Sequence, residues 1–241
     1  LPSASASTEE GGVWYNSGTG KLRAFVAADT WSTSAPMITA RSDMGGGGIQ
    51  TAAFVVGGYT TANVASTEEY NGSGWAAGGD LGAAARQLGG CGTLTAGLCF
   101  GGKTTAQINT TDEYDGSTWT EGGNLVLARD KMGSAGTQTA GLCFAGNVDP
   151  GNEKDESEEY DGSSWTEGND LNTVRKSPGG TGTQTAALCV GGTHPGDADY
   201  LAIVEEYDGS SWTEVGDINN AREAMSSAGT ATAGVVFGGT G

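Results

Sequence analysis

The sequence predicts an all-β fold, a five-bladed β-propeller in which each blade is a four-stranded antiparallel sheet. Three observations carry that expectation. A unit of about 46 residues recurs along the chain. Each copy holds short apolar runs separated by turn residues, and no stretch has the 3.6-residue apolar spacing of a helix. Four-stranded sheets repeated radially form a propeller.

The copies share fixed landmarks. Thr67 to Trp75 reads TEEYNGSGW, Thr111 to Trp119 TDEYDGSTW, Ser157 to Trp165 SEEYDGSSW and Val204 to Trp212 VEEYDGSSW. A weaker fifth copy runs from Phe25 to Trp31, with one extra residue between the aromatics. The steps from Trp31 to Trp75, Trp119, Trp165 and Trp212 are 44, 44, 46 and 47 residues. Ten or eleven residues after each Trp stands an arginine: Arg41, Arg86, Arg129, Arg175 and Arg222. A small-residue hairpin then ends in Gly57-Gly58, Gly101-Gly102, Ala145-Gly146, Gly191-Gly192 or Gly238-Gly239.

Within one unit, Met132 to Thr137 reads as a first strand and Gly141 to Phe144 as a second. A third ends in Tyr160, and Trp165 opens a fourth. Between them Asp161-Gly162-Ser163-Ser164 reads as a hairpin loop, because Asp bonds its own turn and Gly accepts positive φ. The blades then divide as 35–78, 79–122, 123–168 and 169–215, with 216–241 closed by 13–34, after a flexible segment 1–12. The fifth blade is expected to be shared, Val235 to Phe237 pairing with Leu22 to Val26, since paired ends remove exposed sheet edges. Val13 to Asn16 also reads as a hairpin partner for Lys21 to Phe25 and is expected to be displaced to the side.

Composition excludes several partners. With 11 Lys+Arg against 29 Asp+Glu, a net charge of −18, the chain repels phosphate backbones and anionic headgroups. Neither nucleic acid nor membrane insertion is expected, and no apolar run reaches the ~18 residues of a span. The opening LPSASAST has no basic start and no apolar stretch, so it reads as no signal peptide, and the chain as processed, trimmed or a fragment.

A glycine doublet followed by Tyr and Trp about six residues apart resembles the kelch motif, here in five copies covering nearly all of the chain from Gly11. The resemblance implies four-stranded antiparallel blades around a central channel. Many kelch propellers have six or seven blades, and five is a departure.

An enzyme is not expected, nor a cofactor. The single histidine, His194, excludes a multi-histidine metal site or the ligand set of kelch-type copper oxidases, and a catalytic triad would depend on it alone. Cys99, Cys143 and Cys189 occupy one repeat position, filled elsewhere by Val55 and Val236, and so read with Cys91 as free core thiols; a Cys91–Cys99 bridge is the alternative. The arginines could ring an anion, but pairing with Glu69, Glu113, Glu159 and Glu206 accounts for them better. The acidic stretch Asp149 to Glu156 reads as a solvated loop ahead of a calcium site.

The loops after the second strands differ most between copies, and variation on a fixed scaffold is where recognition is usually built. Tyr59, Lys103, Gln107, Asn147, Asp149, His194, Asp197 and Tyr200 are the binding candidates; neutral drift explains the variation equally well. Val13 to Arg23, with Phe25 and Trp31, resembles a short β element recurrent in bacteriophage tail-fibre and other virion proteins, and GTQTAGLCF with EEYDGSSW resembles kelch arrays of marine phages. That implies a virion-surface or tail protein, made in the host cytoplasm, that binds other virion proteins or a host receptor or glycan. A kelch-type protein-interaction scaffold is the alternative, and a carbohydrate-active enzyme is disfavoured.

Overall fold

The computed structural model describes residues 13–16, 21–24, 33–149, 152–194 and 199–241, which divide into two units, 1–34 and 35–241. In the first, β1 (Val13–Asn16) pairs antiparallel with β2 (Lys21–Ala24), Tyr15 opposite Leu22. No described residue is helical.

The second unit contains four four-stranded antiparallel sheets. The first holds β3 (Gly45–Ile49), β4 (Ala52–Val56), β5 (Thr67–Tyr70) and β6 (Trp75–Ala77); the second β7 (Gly89–Thr93), β8 (Ala96–Phe100), β9 (Thr111–Tyr114) and β10 (Trp119–Glu121). The third starts with β11 (Gly133–Thr137) and β12 (Ala140–Phe144), and a small hairpin of β13 (Asn147–Asp149) and β14 (Asn152–Glu153) then interrupts it. It finishes with β15 (Ser157–Tyr160) and β16 (Trp165–Glu167). The fourth holds β17 (Gly179–Thr183), β18 (Ala186–Val190), β19 (Val204–Tyr207) and β20 (Trp212–Val215). Last comes a two-stranded sheet, β21 (Glu223–Thr230) with β22 (Ala233–Thr240). In the third repeat the first, second and fourth strands start within one residue of their expected places, and the third ends at Tyr160 as expected.

First strands of successive sheets lie side by side, β3 on β7, β7 on β11, β11 on β17 and β17 on β21. Residues from all five line a cavity of about 440 Å³ walled largely by glycine and serine. This is a propeller arrangement of four complete blades and one half blade. β21 and β3 both reach the cavity but do not pack together as the other neighbours do.

Each complete blade stacks against a neighbour, which explains the apolar run AGLCF. Leu142, Cys143 and Phe144 are all fully buried although successive side chains leave a strand on opposite faces. All four cysteines are free and buried. Cys91 lies opposite Leu98 and Cys99 opposite Gly90, so the two thiols leave opposite faces and the alternative bridge does not form. Burial pushes the Cys91, Cys143 and Cys189 thiols up to about 12.

Three expectations need correction. The expected pairing of Val235 to Phe237 with Leu22 to Val26 is not seen: Val13–Asn16 pairs with Lys21–Ala24, and β22, including Val235 and Phe237, pairs with β21 alone among the described residues. Phe25, Val26 and Trp31 lie outside the described residues. Arg86 does not occupy the arginine position of the repeat. The left-handed residues Asp43, Gln87, Lys131, Ser177 and Ala224 mark one backbone step in all five repeats. Counting two residues back gives Arg41, Ala85, Arg129, Arg175 and Arg222.

The third correction concerns the carboxylates. Arg41, Arg129 and Arg175 pair with Glu68, Glu158 and Glu205, one residue before the glutamates expected, and all six side chains are essentially buried. Glu69, Glu113 and Glu159 point the other way and accept the hydroxyls of Tyr114, Tyr160 and Tyr207 from the following blade. Desolvation, then the bond to a carboxylate, raises the Tyr114 and Tyr160 phenols to about 12. Trp119 and Trp165 add a second bond across the same joint, to Thr67 and Thr111 at 2.9 Å each. Trp212 is as buried as Trp165, whereas Trp75 and Trp119 are half-buried.

Candidate functional site

Two faces of the second unit differ in how much their sequence is constrained. On one, the DGSS-type turns are built alike. Asp115 Oδ1 accepts the N–H groups of Ser117 and Thr118 at 2.8 Å each, and Asp161 and Asp208 repeat the arrangement. Those bonds, the backbone one from Thr118 first, hold the Asp115 carboxyl at about 2. Gly116, Gly162 and Gly209 sit at φ near +90° in these turns, where a Cβ would be strained.

The opposite face carries the loops between second and third strands. The chain leaves each second strand through the doublet, and the next residue pairs with the segment entering the same blade. Thus Tyr59 bridges Ser42, Lys103 bridges Arg86, Asn147 bridges Asp130 and Thr193 bridges Lys176. A returning residue pairs on the other side: Asn63, Gln107, Glu153 and Tyr200. Tyr59, Lys103 and Asn147 are therefore one position in three blades. Thr193 is its fourth occupant, missed because a threonine looked unremarkable.

Side chains of this rim join consecutive blades, each joint with different chemistry. The Arg86 guanidinium lies 4.8 Å above the Tyr59 ring. Asp130, itself buried, gathers three candidates: Lys103 Nζ at 4.0 Å, Gln107 Nε2 at 3.3 Å and Asn147 Nδ2 at 3.1 Å. Lys176 Nζ reaches buried Glu153 at 3.0 Å, and the Thr193 hydroxyl donates to Glu223. Arg86, Asp130, Lys176 and Glu223 were not foreseen as rim residues. The signal was available, since each follows the repeat's arginine position by one residue.

His194 and Tyr200 are the candidates left facing solvent. The His194 backbone N–H donates to Asp199 at 3.2 Å, and Tyr200 is 44% exposed. Asp149 ends β13, its backbone paired with Asn152. Asp197 lies outside the described residues. In the acidic stretch Asp149 to Glu156, Asp149 and Asn152–Glu153 belong to the β13–β14 hairpin, and no group of three or more His, Cys, Asp or Glu converges among the described residues.

The solved structure of YjhT superimposes with a TM-score of 0.71, covering 83% of this chain and 77% of that one. At 11% identity the likeness extends to the fold alone. No family model matches the sequence. No curated protein matches it either.

Proposed function

We propose that this propeller is a non-catalytic binding scaffold that meets its partner through the second-to-third loop face. The carrying observation is the contrast between faces: the DGSS turns repeat bond for bond, while one backbone position on the rim holds Tyr59, Lys103, Asn147 and Thr193 in turn. His194 and Tyr200 stand ready for contact there without a structural duty to break. Replacing both with alanine is expected to abolish capture of the protein by its partner at an unchanged thermal midpoint. The partner is sought with purified bacterial envelopes and a glycan array as probes; undiminished capture by the double variant overturns the reading.

The resemblance of Val13 to Arg23 to a tail-fibre element supports a virion-surface setting, with attachment to a host receptor or glycan as the task. Detection of the chain by antibody on purified phage particles tests this, and its absence there leaves the scaffold reading to stand alone.

In this reading the fifth blade is shared between the chain's N- and C-terminal segments. β21–β22 is half a blade, and Val235 and Phe237 are 47% and 38% exposed where Leu98, Phe100, Leu142 and Phe144 are fully buried. Removal of residues 1–34 is expected to lower the thermal midpoint and cause aggregation through the β22 edge. A truncated chain that melts like the parent overturns the shared blade.

A further inference from the structure

Three blades hold a guanidinium in one set of acceptors. Arg129 donates to Glu158 at 2.5 Å, to the Ala145 carbonyl at 3.1 Å and to the Glu156 carbonyl at 2.7 Å. Arg175 repeats this with Glu205, the Gly191 carbonyl at 3.2 Å and the Ile203 carbonyl at 3.0 Å. Arg41 uses Glu68 at 3.2 Å and the Ser66 carbonyl at 2.8 Å.

The second blade keeps the acceptors and lacks the cation. Asp112 lies opposite Cys99 in the register that puts Glu158 opposite Cys143 and Glu205 opposite Cys189. The Gly101 N–H donates to Thr110, as Ala145 does to Glu156 and Gly191 to Ile203, so the carbonyls of Gly101 and Thr110 stand where arginine is bound elsewhere. The arginine position is Ala85, and beside it opens a cavity of about 170 Å³ in which Thr110, Asp112 and Glu121 supply the polar lining and Leu81, Leu88 and Ile108 the apolar walls. Glu121 is the direct cross-strand neighbour of Asp112. Two carboxylates placed so repel, and no lysine or arginine comes within ion-pair distance of either among the described residues. Burial, then Glu121, raises the Asp112 carboxyl above its ordinary value, the direction an uncompensated carboxylate takes. The neighbouring Arg86 does not serve the cavity, because its side chain leaves the strand on the other side and stacks on Tyr59.

We infer that this cavity in the second blade binds a guanidinium group brought by a ligand, held by Asp112 and the Gly101 and Thr110 carbonyls as the protein's own arginines are held. A planar cation with several N–H donors fits an acceptor set built for one, and it relieves the repulsion between Asp112 and Glu121. Gly82 and Ala83 are among the small residues of its lining.

The test uses the whole chain and methylguanidinium chloride, with sodium chloride at equal ionic strength as reference. Titration calorimetry is expected to give one saturable site, weakened at least about tenfold by Asp112→Asn, the loss of one charge-assisted pair. Ala85→Arg fills the cavity covalently and is expected to abolish the binding. At ten times its Kd the ligand raises the folding constant about elevenfold, so the parent's thermal midpoint rises relative to that of Ala85→Arg. Equal responses of the parent and Ala85→Arg, or no saturable heat, overturn the inference, and that comparison holds even if Asp112→Asn fails to fold. A Gly-Arg-Gly amide tells the sources apart: binding of both probes assigns the site to a partner's arginine side chain, and binding of methylguanidinium alone to a small free guanidine.

Discussion

Replacing Arg175 with alanine is expected to cost about 3–5 kcal/mol, the range for removing one member of a buried pair and leaving the other charge in place. Both side chains of the Arg175–Glu205 pair are completely buried. Glu205 would keep the N–H groups of Asn172 at 2.7 Å and Thr173 at 3.2 Å but lose the cation it pairs with. The carbonyls of Gly191 and Ile203 would lose a donor as well. For a domain of this size the loss lowers the thermal midpoint by roughly 6–20 °C. The double variant Arg175→Met with Glu205→Met is expected to lose less than Arg175→Ala alone, because no charge is stranded. Equal losses for the two would show that the cost lies in packing rather than in the uncompensated carboxylate. The second blade indicates how the chain tolerates a missing arginine: its carboxylate is the shorter Asp112, only half-buried.

Much of this was legible beforehand, because repetition multiplies weak signals. One DGSS turn or one Trp is a poor predictor; four in step locate strands to within a residue. Side-chain direction was the harder matter. In the doublets Glu68-Glu69, Glu158-Glu159 and Glu205-Glu206 the two residues share one chemistry, so composition does not say which faces the arginine and which the next blade. Only the strand register separates them. Arg86 misled for a related reason, since a spacing of eleven instead of ten looks like ordinary loop variation. A left-handed Gln87 shows that the loop has not lengthened and that Ala85 holds the position. That Lys103, Gln107 and Asn147 converge on Asp130 was out of reach, because it depends on how one blade meets the next.

That meeting of blades sets the second large effect. Trp165→Ala is expected to cost about 3–5 kcal/mol, the usual range for removing a large buried aromatic. Trp165 is 5% exposed and crosses from the third blade to the second. Its ring meets Phe100 edge-on at 4.7 Å and Tyr160 at 5.0 Å, and its Nε1 donates to Thr111 at 2.9 Å. Trp212 has the same burial and the equivalent contacts with Phe144 at 4.9 Å and Tyr207 at 4.9 Å. Its Nε1, however, is buried without an acceptor among the described residues: Ser157 stands where Thr67 and Thr111 accept, and its hydroxyl is turned toward the Asn169 carbonyl, to which it donates at 2.6 Å. The pair is thus an internal control that separates packing from hydrogen bonding. Alanine at either position removes the same aromatic packing, and Trp165→Ala loses the bond to Thr111 besides. Phenylalanine keeps an aromatic ring and isolates the bond: Trp165→Phe gives up a satisfied bond worth about 1 kcal/mol, whereas Trp212→Phe removes a buried N–H that already lacked a partner. Denaturant midpoints of the four variants read the difference directly. Equal losses for the two phenylalanine variants would mean that the Trp165–Thr111 bond contributes nothing, and that aromatic packing alone joins the blades at this position.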